Sequence, residues 1–154
     1  MWSGERSHDN DLNRSLRLKT LSPLFGLSDV TFVSLQHEVR EVDAGLLHKH
    51  PTIVHIGDQF QDFADTAAAI ANLDAVIAAD TAVAHLAGAM GKPLLLLLPL
   101  GADFRWLRER SDSPWYPTAR LYRQPAFGDW GSVIATVRQD LLRAYTSQRH
   151  SPAA

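Results

Sequence analysis

"AADTAVAHLAGAMGKP", residues 78–93, decides how the chain is read. It follows the apolar "AVI" of residues 75–77 and leads into "LLLLL", residues 94–98. The order is therefore an apolar strand, a helix of small residues starting near Thr81, a glycine that stops the helix, and a second apolar strand. Neither strand alternates polar with apolar residues, as expected of strands buried on both faces in a parallel sheet. Against this apolar background stand one acid, one hydroxyl and one imidazole: Asp80, Thr81 and His85.

The alternation continues on both sides. "FQDFADTAAAIANLD" (60–74) spaces Phe63, Thr66, Ala67, Ile70 and Leu73 at helical intervals, with Asp62 placed to cap the first turn. "VTFVSLQ" (30–36), after the turn-like "GLSD", and "TIVHIGD" (52–58) read as strands, and the polar "HEVREVDAGLLHKHP" (37–51) between them reads mostly as loop. The first 15 residues read as loop, and "LRLKTLSPLF" (16–25) as a short helix. Downstream, a last short strand is expected around Arg120 to Arg123. A closing amphipathic helix then carries Trp130, Val133, Ile134, Val137, Leu141 and Leu142 on one stripe. Residues 1–146 are read as one domain and residues 147–154 as a flexible tail.

The totals set limits. At 154 residues and 45% hydrophobic content the chain suffices for one domain with a real core. A net charge of −2 offers no global basic field for nucleic acid or an anionic membrane, so any anion must be met locally. There is no cysteine for a disulfide, a thiolate nucleophile or a cysteine zinc site, which suits a cytoplasmic location. The longest apolar run, "PLLLLLPL" (93–100), is far short of the roughly 20 residues of a membrane helix, and no export signal opens the chain.

In open parallel sheets ligands sit beyond the carboxyl ends of the strands, and Asp80 stands at such an end. The helix behind it offers unpaired N–H groups and a partial positive charge that suit a phosphate. Thr81 adds a hydroxyl, Ala82 leaves room for an anion, and His85 points back from one turn in. The alternative reading gives Asp80 or Thr81 a mere capping role and His85 a packing role. "GAMGK" (88–92) lacks phosphate-loop spacing, because Lys92 leads into a proline and a strand. His48 and His50 in "HKH" bring no carboxylate cluster to form a metal site.

"DFADTAAAIANLDAVIAADTAVAHLAGAMGKPLLLLLP" (62–99), followed in order by "DFRWL", "DSPWYPTARLYRQ" and "GDW", resembles the C-terminal half of glycosyltransferase family 9, the ADP-heptose:lipopolysaccharide heptosyltransferase-like group. The opening "WSG" and "DNDLNRSLRL" is similar to the branch in which this domain follows tetratricopeptide repeats, so the resemblance covers nearly the whole chain.

The resemblance implies an α/β, Rossmann-like C-terminal half of a GT-B glycosyltransferase, with the active site in a cleft shared with an N-terminal domain. Asp80, Thr81 and Ala82 would hold the diphosphate of the donor, an ADP-sugar or another nucleotide diphosphate sugar, and His85 would brace the loop. Asp80 would orient backbone amides or accept a sugar hydroxyl. Arg14 and Ser15 would be donor contacts, with Ser3 and Gly4 lining the same cleft and Arg105 and Trp106 as further cleft candidates. Asp58 would meet a ribose hydroxyl, and Trp115 and Tyr116 would fix a loop over the sheet edge. The resemblance implies neither metal nor further cofactor. The acceptor domain that carries the catalytic base in the family lies outside this sequence, so no residue here is named catalytic. The family's first strand begins before Trp2, which would leave a sheet edge open to self-association. The competing expectation is a non-catalytic nucleotide-binding or protein-interaction module that keeps the fold; a related nucleotide-sugar epimerase ranks third.

Overall fold

Leu94–Leu98 forms the centre of the molecule as strand β4, with Val76–Ala79 (β3) and Ala119–Arg123 (β5) parallel on its two sides. The computed structural model describes residues 1–148. Because successive strand side chains point to opposite faces, an all-leucine strand must be covered twice. Leu94, Leu96 and Leu98 pack with Ile70, Ala84, Ala87 and Trp106, while Leu97 faces Trp2, Leu24, Ile134 and Val137.

Helix α5 (Ala82–Ala89) follows β3 and ends at Gly91, whose φ of 69° is the left-handed conformation that glycine adopts without strain. Helix α4 (Phe63–Ala71) starts as its sequence demands: Asp62 accepts hydrogen bonds from the N–H groups of Ala64 and Asp65 at 2.7 and 3.1 Å. Thr66 and Ile70 are buried, but Phe63, expected on the same stripe, is exposed on the first turn. Helix α6 (Trp130–Gln148) buries Val133, Ile134, Val137 and Leu141; Leu142 falls outside that stripe and is exposed. The helix runs two residues into the expected tail, and residues 149–154 lie outside the described residues.

A second parallel pair, Phe32–Ser34 (β1) and Ile53–His55 (β2), lies apart from the three-stranded sheet, in register Phe32 with Ile53. Both strands are shorter than the apolar runs that encode them. The stretch read as loop between them contains helix α3 (Glu41–His48). Its apolar stripe is weak, with only Leu46 and Leu47 half-buried against the core, and a buried acid holds it instead. Asp43 accepts hydrogen bonds from the Trp2 indole Nε1 (3.0 Å) and the Leu18 N–H (3.1 Å). The opening segment likewise contains a four-residue helix, Asp11–Arg14 (α1), before Leu18–Leu21 (α2) and a 3-10 turn at Ser22–Leu24.

The N-terminal residues run between the two sheets. The amine of Met1 donates to the Ile77 carbonyl at 2.9 Å, and its carbonyl accepts from Ala79 N–H at 3.0 Å. On the other side the Gln36 side chain takes the place of a strand partner: Oε1 accepts from the N–H groups of Trp2 and Ser3, and Nε2 donates to the Ser3 carbonyl. The outcome is an α/β structure with two parallel sheets and helices. Among the described residues no helix is long and apolar enough to cross a membrane.

Candidate functional site

Strand β3 runs out at Ala79, and Thr81, extended at φ −142° and ψ 168°, turns the chain into α5. Neither capping assignment holds: the Thr81 side chain makes no cap bond and its hydroxyl faces the Met1 sulfur at 3.8 Å. The Asp80 carboxylate is turned toward His85. The N–H groups of Ala84 and His85 close on the Thr81 carbonyl, so those of Ala82 and Val83 are left at an uncapped helix start. Ala82 is exposed there.

Arg14 reaches this end from α1. Its Nη1 donates to the Asp80 carbonyl at 3.0 Å, while its Nε is buried without a hydrogen-bond partner. Gly4 makes room for it, since a Cβ at that position would lie 2.6 Å from Arg14 Nη2. Behind Arg14, the Ser15 hydroxyl accepts from Gly4 N–H (3.1 Å) and donates to Asp11 (2.5 Å), and Arg40 Nη2 meets both Asp11 oxygens at 2.7 Å. Burial alone raises the Asp11 carboxyl, but the Ser15 and Arg40 bonds and the Arg40 charge outweigh it and hold the group below the usual carboxylate range. The buried Ser3 hydroxyl has no hydrogen-bond partner.

On the other flank His85 is held on three sides. Its Nδ1 lies 3.0 Å from the Tyr116 hydroxyl, its Nε2 lies 3.7 Å from Asp80 Oδ1, and its ring stacks on Trp106 at 5.1 Å. With Tyr116 donating to Nδ1, the ring proton sits on Nε2 and faces the carboxylate. Burial pushes the imidazole below its ordinary value; Asp80 works in the opposite direction and Arg105 reinforces the fall, so the ring is neutral near pH 7. The Tyr116 ring fits against Gly88, where a Cβ would come within 2.5 Å of its Cγ.

Ser3, Gly4, Arg14, Ser15, Asp80, Thr81, Ala82 and His85 thus share one rim at the carboxyl ends of the strands. Arg105 comes close enough to act on the charge of His85 and is paired with Asp103 at 3.0 Å. Trp106 is a packing residue, 1% exposed. Tyr116 is more than a loop anchor, because it bonds His85; Trp115 is exposed and donates to the Arg105 carbonyl. Asp58 does not join the group: it follows β2, is exposed, and faces His55 at 3.7 Å. The His50 ring packs on Phe25, with ring centroids 5.4 Å apart. Among the described residues no three His, Asp or Glu side chains gather as metal ligands would.

Sequence reasoning missed Asp11 and Arg40, which stand behind Arg14 and Ser15. The four-residue spacing from Asp11 to Ser15 was the available signal, and only a helix at that point makes it meaningful.

No family model matches the chain, and no solved structure matches it. The chain is similar to Protein FlbA of Caulobacter vibrioides, 32% identical over 121 residues, which is 75% of this chain and 20% of that protein. The chain therefore spans about a fifth of the length of that curated relative.

Proposed function

We propose that this chain is the nucleotide-diphosphate-sugar-binding, Rossmann-like domain of a GT-B glycosyltransferase of the heptosyltransferase-like family 9, acting with an N-terminal acceptor domain carried elsewhere. The observation that carries this reading is the uncapped start of α5 beside Arg14, at the carboxyl end of β3. Two open backbone N–H groups, the positive end of a helix and a guanidinium supply what a diphosphate requires. The Asp80 carboxylate, turned to His85, does not oppose the anion directly and is available to a sugar hydroxyl. The donor is an ADP-sugar or another nucleotide diphosphate sugar, and the contribution to chemistry is stabilisation of the leaving diphosphate, without a metal. On this reading the domain works in the cytoplasm, beside tetratricopeptide repeats in its full assembly.

A second reading, a binding module without turnover, is favoured by one feature. Asp80, His85 and Tyr116 are engaged with one another, which leaves the site well built for holding and poorly supplied with a base.

Calorimetric titration of the folded chain with ADP, UDP and GDP tests the reading. One nucleotide should bind saturably, and Arg14→Ala should weaken it on the order of 10- to 100-fold, the value of a charged hydrogen bond. No saturable binding, or equal affinity in the Arg14→Ala variant, would contradict it.

A further inference from the structure

The Arg14 guanidinium at the start of α5 stands between two acceptors, the Asp80 carbonyl and the Asp11 carboxylate. Asp11 and Arg14 lie three residues apart on α1, a spacing at which helical side chains are neighbours. Left to themselves they would draw together, because a carboxylate is the stronger acceptor. Here they do not. Arg14 Nη1 donates to the Asp80 carbonyl at 3.0 Å, its Nε has no hydrogen-bond partner, and among the described residues no carboxylate pairs with it. Of the influences on the Asp11 carboxyl, burial raises it, while Ser15, Arg40 and then the charge of Arg14 lower it, so Arg14 is within electrostatic reach.

The difference is Arg40. It precedes α3 in extended conformation, at φ −67° and ψ 142°, and α3 is pinned by the Asp43 bonds to Trp2 and Leu18. Its Nη2 reaches both Asp11 oxygens at 2.7 Å, and the Ser15 hydroxyl takes Oδ1 as well. Asp11 is only 6% exposed. A carboxylate so withdrawn from water demands a full partner, and the guanidinium that serves it is lost to other anions.

We propose that Arg40 is a positioning residue for Arg14: by occupying the buried Asp11 carboxylate it keeps the Arg14 guanidinium aimed at the end of β3, where an anion at the start of α5 meets it. The two guanidiniums and the carboxylate together leave one positive charge, and Arg40 decides that this charge faces the site. Without Arg40, Arg14 neutralises Asp11 and the site keeps none. Gly4 holds open the space that the aimed guanidinium fills, since a Cβ there would lie 2.6 Å from Arg14 Nη2. The aim of Arg14 is a property of the free chain, and only its consequence for affinity rests on the diphosphate reading above.

The test compares the full chain with Arg40→Gln, Asp11→Asn and the double variant. Without ligand the readout is the Arg14 Nε–Hε resonance, identified by its loss in Arg14→Lys. In Arg40→Gln the Arg14 side chain should turn to Asp11, and the resonance should move downfield as the unpartnered N–H gains a carboxylate acceptor. In Asp11→Asn and in the double variant it should stay in place, because no rival charge remains. In titrations with ADP, Arg40→Gln should weaken binding about tenfold, and the double variant should restore it to within about threefold. A merely structural loss at Arg40 would not be repaired by altering a second buried group. An unmoved Arg14 resonance in Arg40→Gln, or one displaced equally in the double variant, overturns the inference. Should Arg40→Gln fail to fold, a folded double variant with Arg14 in place sustains the inference, and one with Arg14 displaced overturns it. Absence of ADP binding by the unaltered chain overturns the diphosphate reading alone, since the ligand-free resonance decides the aim of Arg14.

Discussion

His85 and Tyr116 share a 3.0 Å hydrogen bond between imidazole Nδ1 and phenol, and that bond ties the helix behind the site to the loop before β5. The imidazole is aimed at Asp80 because the phenol holds it from behind and Trp106 holds it from below. Tyr116→Phe keeps the ring and deletes the bond. It should lower stability by about 1 kcal/mol. Urea unfolding measures the loss, and the His85 ring nitrogen shifts should show the tautomer becoming mixed.

Gly88 is a packing requirement of the same arrangement. The Cβ of Gly88→Ala would meet the Tyr116 ring near its root, at 2.5 Å from Cγ, where the side chain cannot simply swing away. The expected cost is about 1–3 kcal/mol. It should shrink when Tyr116→Ala is combined with it, since the two changes act on one contact. Additive losses in that cycle would contradict the packing account.

The pH dependence follows from the lowered His85 value. Below pH 6.5 the unfolded chain takes up a proton at this ring while the folded chain, whose value lies lower, does not. The unfolded state then binds more protons, so stability falls as pH drops through that window and is unaffected by this group above it. His85→Gln should flatten the slope of unfolding free energy on the acid side of pH 6.5. An unchanged slope would assign the acid loss to other groups.

Asp43 is the acid on which the opening of the chain is fastened, 3% exposed and accepting from Trp2 and Leu18. Asp43→Ala should cost on the order of 3 kcal/mol, because two buried donors lose their acceptor. Asp43→Asn, which keeps one carbonyl oxygen, should cost less. Thermal unfolding of the pair separates lost hydrogen bonding from lost charge.

Much of the β3 to β5 region was legible because its pattern is extreme. An unbroken leucine strand, a small-residue helix and a glycine stop admit few other readings, and the Asp62 cap lay at the expected position. The site residues near Asp80 followed from their place after a strand. What stayed hidden depends on polar contacts without periodicity. Helix α3 is fastened through the Asp43 carboxylate, and the support behind Arg14 is a relay through Ser15, Asp11 and Arg40. Neither produces an apolar stripe. Asp58 looked equivalent to Asp80 because both end a strand, yet its strand belongs to the separate two-stranded sheet.

The central claim is that the start of α5 holds a diphosphate. An amide chemical-shift titration of the labelled chain with ADP, UDP and GDP, then with their sugar conjugates, tests it most directly. The account predicts saturable shifts at Thr81, Ala82 and Val83 for one base, with the Arg14 side chain responding in parallel. A folded sample whose amides at these positions stay silent to millimolar ligand would contradict it.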